Sequence, residues 1–585
     1  MAGAKPGALP YYEKWFVLGL LIGVFSGLLV LVFHMALTLV ERLFLGELVG
    51  MQTAGGGPPA FEAWRYYLLP ASMAIGALIA AFFIYTFAPE AQGSGTDMVI
   101  KAYHYLQGKI RWRVLPVKII ATVFTIGSGG SGGAEGPAAQ FSAALGSMVS
   151  ELLGLPPEDR RRMAVVGLGA GIGAIFKAPI GGALLAAEVL YRRDLEPDVI
   201  YPALVASAVS YAVYGAVTGY TPIFGYYTEP LDPMRLPLYA ILGAFAGLVA
   251  IAYVEIFNAS RRFFERLNVN VYLRPAAGAL LASAVALIAP QVVAYGYSWV
   301  RLAELGDFSQ FYSPLLPTLA LLALMPLLKI LATSFTVGSG GSGGLFAPAI
   351  FIGAFLGADV GLLFHYLSPS LAPSVAPFAI VGMAAVLAAA TKTPLSALAL
   401  TVELTGSVQL FPAMMLAVAI SYILSEGRTI FEAQVPTRRE SPAHRGEYEI
   451  AVLEAVKVEE CALDDVKVLA TDNVEKALRI MEERNMMGLP VVDDGGNFLG
   501  VVHLVDLLKA DRRDQVVKYV IRGAPYVTPS STLEQALQAM SAARSRWVSV
   551  VENGKFKGVL TAERLYEAYR KELKLHKAAN RHGTP

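Results

Sequence analysis

The stretch Thr125-Ile-Gly-Ser-Gly-Gly-Ser-Gly-Gly133 returns, almost letter for letter, as Thr336-Val-Gly-Ser-Gly-Gly-Ser-Gly-Gly344. The preceding Lys118-Ile-Ile-Ala-Thr matches Lys329-Ile-Leu-Ala-Thr at the same offset, 329 − 118 = 211 residues. Further on, Lys177-Ala-Pro-Ile-Gly-Gly-Ala-Leu-Leu-Ala-Ala-Glu188 pairs with Lys392-Thr-Pro-Leu-Ser-Ala-Leu-Ala-Leu-Thr-Val-Glu403, offset by 403 − 188 = 215. Each half thus carries a glycine-rich turn, a helix, a Lys-x-Pro step, a second helix and a glutamate. The chain is an internal duplication.

With 55% hydrophobic and only 16% charged residues, the chain departs from the soluble balance and belongs in a bilayer. Apolar stretches recur at Trp15–Phe33, Tyr66–Phe87, Val114–Ile126, Met163–Phe176, Ala178–Leu190, Val199–Val217 and Leu236–Phe257, then at Ala276–Val293, Leu315–Phe335, Leu345–Phe364, Phe378–Ala390, Pro394–Leu404 and Phe411–Leu424. A helix needs roughly 20 residues to cross the hydrocarbon core, and several stretches fall short. Broken backbone at that depth is tolerated where protein buries it or it lines a polar cavity. Duplicated halves with short, Gly/Pro-interrupted segments point to a transporter with its site at the repeat interface. Hydropathy alone leaves the relative orientation of the halves open. The first stretch is too long, and lacks a small-residue cleavage site, for a signal peptide.

The net charge of +1 gives no electrostatic case for nucleic acid. The lone Cys461 permits no intramolecular disulfide. Scattered histidines (His34, His104, His365) supply neither a nucleophile–base pair nor HExxH spacing, so an intramembrane enzyme is not expected and no metal site is anticipated. Arg428, Arg438, Arg439 and Arg445 form a basic segment between Gly427 and Gly446 that favours the cytoplasmic face.

From Glu447 the chain becomes charged. Strand-like runs (Gly488–Val492, Leu499–Val502, Trp547–Val551, Lys557–Leu560) alternate with helical ones (Val474–Arg484, Leu504–Ala510, Thr532–Ala543, Ala562–Leu573). Asp494-Gly-Gly-Asn and Glu552-Asn-Gly-Lys read as hairpin turns. The tail is therefore a soluble, duplicated α+β domain.

The glycine run lacks the GK[ST] ending of a phosphate-binding loop. Close helix packing through small residues accounts for many of the glycines, but not for Glu135. An ionisable group among apolar spans is functional by default, and Gly136-Pro137 after it marks a helix start. A helix N-terminus offers unpaired N–H groups and positive potential, which favour anions. Glu135 would thus fill an anion site with its own carboxylate, and protonation would release it. Ala347-Pro348 marks a second helix start without a carboxylate, leaving a site for a diffusible anion.

Gly133-Ala-Glu-Gly-Pro137, Gly344-Leu-Phe-Ala-Pro348 and Gly93-Ser-Gly-Thr-Asp97 resemble the GxEGP, GxFxP and GSGxP motifs of the CLC family of chloride channels and proton/chloride exchangers. Arg113-Val-Leu-Pro-Val-Lys118 and Lys177-Ala-Pro-Ile-Gly-Gly182 fit the same family, and the tail resembles its CBS pair. The resemblance implies an all-α polytopic membrane domain of two inverted repeats, about 15–219 and 236–426 within 1–445. It implies a C-terminal α+β CBS pair at 446–585, about 451–512 and 515–575. It further implies a homodimer in the cell membrane, multi-pass, with the CBS domain cytoplasmic and a chloride pathway in each subunit. Glu135 becomes the gating glutamate. Ser94, Gly344, Leu345, Phe346 and Phe431 line the anion site, and Gly133, Ala134, Gly136, Pro137, Ala347 and Pro348 shape the helix starts.

The chain departs from the family pattern in several places. Phe431 stands where the family has a hydroxyl-bearing tyrosine. Asp97 stands where a proline is usual, and is expected to cap the following helix. Val189 aligns with the internal proton-transfer acid of exchangers, with Glu188 one residue, about 100° of helix, away. Glu188 and Glu403 are accordingly expected to hold helix ends. These departures lean toward a passive or weakly coupled chloride channel, with proton-coupled antiport as the alternative. The intact Gly-Ser-Gly differs from the altered serine loop of fluoride-selective members, and the surviving pathway motifs argue against a membrane-anchored nucleotide sensor with a vestigial pore. No cofactor is required. An adenine nucleotide at the CBS pair would use His503, Asp506 and Thr561, yet each Gly-x-x-Thr/Ser-x-x-Asp pattern is incomplete: His503 replaces the hydroxyl in one and Arg564 the acid in the other.

Overall fold

The computed structural model describes residues 10–51, 64–444 and 453–582. Arg445 and the sequence-based boundary beside it lie outside the described residues. Two compact units are present, Met1–Ala443 and His444–Pro585.

The first unit is helical. Its first half runs α1 (Tyr11–Glu41), α2 (Leu69–Phe87), α3 (Thr96–Tyr105), α4 (Val114–Gly127), α5 (Glu135–Leu152), α6 (Pro157–Ile175), α7 (Pro179–Glu188) and α8 (Pro197–Thr218). The second half repeats the series as α9 (Leu236–Arg266), α10 (Arg274–Ile288), α11 (Tyr297–Leu305), α12 (Thr318–Gly338), α13 (Phe346–Leu367), α14 (Ala376–Thr391), α15 (Pro394–Thr405) and α16 (Phe411–Leu424). Among the described residues, six spans are long and apolar enough to cross a membrane, and shorter apolar helices such as Val114–Gly127 and Pro394–Thr405 accompany them. The first span exceeds the sequence expectation, because α1 continues through a π-helical segment to Leu48. Two elements fall outside the apolar stretches altogether: α3 and α11, short helices that mix polar and apolar residues.

Hydrogen bonds between the halves come in reciprocal pairs, the mark of a local two-fold relation. The amides of Gly133 and Gly344 donate to each other's carbonyls at 2.9 and 2.6 Å. Thr122 meets Ser342 at 2.7 Å, and Ser131 meets Thr333 at 3.0 Å. The Ser131 amide donates to Thr336 and the Ser342 amide to Thr125. Glu188, at the end of α7, accepts from the Leu395 and Ser396 amides that begin α15. Glu403, near the end of α15, accepts from the Ile180 and Gly181 amides that begin α7. Helices that cap each other head to tail lie antiparallel, which makes the repeats inverted.

Two buried lysines fix the turns that precede α3 and α11. Lys118 donates to the Ala91 and Gly93 carbonyls at 2.9 and 2.7 Å. Lys329 donates to those of Val292 and Ala294, also at 2.9 and 2.7 Å. Each ammonium satisfies two carbonyls at a turn.

The second unit repeats one module. Strand β1 (Val468–Leu469) pairs parallel with β2 (Gly488–Val492), which pairs antiparallel with β3 (Phe498–His503). Strands β4 (Tyr526–Val527), β5 (Trp547–Glu552) and β6 (Lys555–Thr561) do the same. Helices α17 (Val474–Glu483), α18 (Leu504–Leu507), α19 (Leu533–Ala542) and α20 (Ala562–His582) complete the pair. The β5–β6 turn is Asn553-Gly554, both at positive φ (52° and 77°), as a two-residue hairpin requires.

Candidate functional site

Glu135 is the first residue of α5, and Phe346, 211 positions later, is the first of α13. The bridge between Gly133 and Gly344 brings the two helix starts together. Only glycine permits this approach: a Cβ on Gly136 would lie 2.3 Å from the Ser94 carbonyl oxygen, and one on Gly344 2.7 Å from the Gly136 nitrogen. Pro137 and Pro348 sit in the first turns, where a missing N–H costs no intrahelical bond. Ala134 precedes α5 in a helical conformation and is buried.

The Glu135 carboxylate is buried against its own amide and that of Ala347 in the first turn of α13. Oε1 accepts from the Tyr297 hydroxyl at the start of α11. Oε2 is buried, and among the described residues it accepts no hydrogen bond. It lies 2.0 Å from where a Cβ on residue 133 would stand, so Gly133 makes the room it occupies. The acid thus sits inside the cradle that the amides of Leu345, Phe346 and Ala347 would offer an anion. The Gly344 amide differs from the sequence expectation, since it donates to the Gly133 carbonyl.

Ser94 lies between Gly93 and Gly95, whose φ values of 69° and 86° turn the chain sharply. Together with Asp97, Arg261, Arg274 and Ile430 it lines a cavity of about 230 Å³. Phe431 packs on Phe346, ring centroids 5.6 Å apart. Its segment is tied down by Ile430 donating to the Ala390 carbonyl at 2.9 Å and Gln434 donating to that of Val189 at 2.9 Å. Asp97 does not cap α3. Its carboxylate accepts from the Ala433 amide at 2.9 Å, two residues past Phe431, so it anchors the segment that carries that ring.

The structure therefore gathers Glu135, Ser94, Phe346 and Phe431 around two helix starts. Val189 is fully buried, and Glu188 is engaged by two amides and the Ser396 hydroxyl. Tyr297, Tyr295 and Glu41 are residues that the sequence reading passed over. Tyr295 donates to Glu41 at 3.1 Å, and the rings of Tyr295 and Tyr297 lie 5.0 Å apart. The signal was present: Gly296-Tyr297 starts α11 as Gly95-Thr96 starts α3.

In the second unit, Asp506 is exposed in α18, and His503 ends β3. Thr561 accepts from the Arg564 amide at the start of α20, while the Arg564 guanidinium pairs with Asp464 and Glu567. The second half keeps the Thr561 hydroxyl, which accepts from one amide, and has the paired guanidinium of Arg564 where the pattern has an acid.

Inverted helical repeats meeting at glycine-bound helix starts define an anion-transport fold, and the family follows. The model of the family described as voltage gated chloride channel matches residues 76–426, and the CBS domain model matches 458–513 and 516–571. The chain belongs to this CLC family and is a multi-pass membrane protein. It is 29% identical over 416 residues to the "H(+)/Cl(-) exchange transporter ClcA" of Citrobacter koseri, covering 69% of this chain and 84% of that one. The protein of the same name from Salmonella paratyphi B is 28% identical over the same length, with the same coverage. Its fold is similar to a slow cyanobacterial Cl⁻/H⁺ antiporter (TM-score 0.61, 22% identity, 72% of this chain and 95% of that one). It is also similar to a eukaryotic CLC transporter (TM-score 0.58, 18% identity, 95% and 98%).

Proposed function

We propose that each subunit of a homodimer conducts chloride through a pathway past Ser94, the start of α13 and Phe431, and that Glu135 gates it. The observation that carries this reading is the Glu135 carboxylate lying against the Ala347 amide, where a diffusible anion would otherwise rest. Carboxylate and chloride compete for the same donors, and protonation removes the competitor. The cavity beside Ser94 is lined by Arg261 and Arg274 together with the carboxylates of Asp97 and Glu265, and Arg261 is paired with Glu432.

Conduction is passive or weakly coupled to protons. Support comes from Val189 at the aligned inner position and from Glu188, whose oxygens are occupied in capping α15. The second reading is proton-coupled exchange, favoured by the names of the relatives. The CBS pair lies on the cytoplasmic side of the cell membrane and acts structurally, in keeping with the incomplete nucleotide pattern of each half, His503 in one and Arg564 in the other.

Chloride flux and proton movement recorded together in proteoliposomes under a chloride gradient test this. The expected result is chloride flux with little proton movement. Uphill proton movement at a fixed ratio would establish exchange instead, and absence of anion flux at every pH would remove the assignment.

A further inference from the structure

Glu135 is the gate, but its position depends on what holds it closed. The groups facing it come from the second half and from α8. Tyr297, at the start of α11, donates to Oε1. The Lys329 ammonium, from α12, lies within electrostatic range. Tyr295 and Tyr214 complete the surroundings. Lys329 is committed to the Val292 and Ala294 carbonyls, so it is held in place and is not a movable partner. Tyr297 is the direct side-chain donor to the carboxylate.

Tyr297 is itself held. Its ring is edge-on to Phe224 at 5.4 Å and packs on Tyr295 at 5.0 Å. Tyr295 is fixed by its own donation to Glu41, a second carboxylate buried in the membrane domain, at the end of α1. A phenol with so little freedom keeps its hydroxyl aimed at one place whether or not the carboxylate is there. Chloride has only acceptor character, and Phe431 supplies no hydroxyl.

Resting on the gating reading above, we propose that Tyr297 is the latch of the Glu135 gate. Its hydroxyl donates to the carboxylate in the closed state and to the permeating anion once the carboxylate leaves, with Tyr295 and Glu41 fixing the ring. Tyr297 touches the gate directly and provides on α11 the phenol donor that position 431 lacks, while Tyr295 is the positioning residue. A donor to the ionised form favours that form, so removing it makes Glu135 easier to protonate.

The test is chloride flux against pH and against chloride concentration in proteoliposomes, for the parent protein, Tyr297→Phe, Glu135→Gln and the double variant. Tyr297→Phe should move the half-activation pH upward by about one unit, a tenfold change in proton concentration. In the Glu135→Gln background it should leave the pH profile unchanged and raise the half-saturating chloride concentration several-fold. Tyr295→Phe, which touches only the support, should shift half-activation in the same direction by less. Unchanged half-activation in Tyr297→Phe, together with unchanged chloride saturation in the double variant, would overturn the latch. If the parent conducts no chloride or Glu135→Gln matches the parent, the gating reading fails first, which separates the two failures.

Discussion

Residues 135 and 346 open equivalent helices in the two halves, yet one is a carboxylate and the other a phenyl ring. Everything beneath them is shared. Lys118 and Lys329 pin matching turns, Gly133 and Gly344 exchange hydrogen bonds, and Glu188 and Glu403 cap each other's helices. The turns differ again in what they present: Ser94 before α3, Tyr295 and Tyr297 around the start of α11. A symmetric scaffold therefore carries an asymmetric lining. Symmetry makes the two helix starts meet, and the asymmetry places an acid on one of them, against the Ala347 amide of the other.

The largest effects should come from breaking the shared scaffold. Lys118→Met strands the Ala91 carbonyl and Lys329→Met that of Val292, while Gly93 and Ala294 each keep an amide donor, from Gly343 and Gly132. Each substitution should cost about 2–4 kcal/mol, read as matching drops in thermal unfolding temperature in detergent. A large drop for one and none for the other would break the equivalence of the halves. Next come Gly136→Ala and Gly344→Ala, whose new Cβ atoms would meet backbone at 2.3 and 2.7 Å. Overpacking of this kind costs about 1–3 kcal/mol, and both variants should lose most of their chloride flux.

Smaller effects should come from the caps. Glu188→Gln and Glu403→Gln keep an acceptor but lose the charge that binds two amides, so each should cost about 1 kcal/mol. Any proton-to-chloride ratio should stay the same. A ratio that collapses in Glu188→Gln without loss of stability would make Glu188 a relay and end its parity with Glu403. The smallest expected effect is a gain. Phe431→Tyr restores a hydroxyl beside Phe346, worth about 0.5–1.5 kcal/mol, and should lower the half-saturating chloride concentration several-fold.

The duplication, most membrane helices and the CBS strands were legible in the sequence because each leaves a long periodic or repeated trace. Glu135 was legible because an acid among glycines in an apolar chain is costly to bury and therefore stands out. Tyr297 was not, because α11 is a short helix of mixed polarity that no apolar run announces. Asp97 misled for a related reason. Its place just inside a helix start suggests a cap, whereas its partner, the Ala433 amide, lies 336 residues away. Local pattern identifies groups that act on their neighbours, and contacts across the two-fold relation become visible only once the halves have docked.

If the Glu135 carboxylate is the gate, removing its charge removes the pH dependence of chloride flux. The most direct test is chloride flux into proteoliposomes measured from acid to alkaline pH for the parent and Glu135→Gln. The parent flux should rise as pH falls, and the variant should be high and flat. A variant that retains the parent's rate and pH dependence would contradict the account.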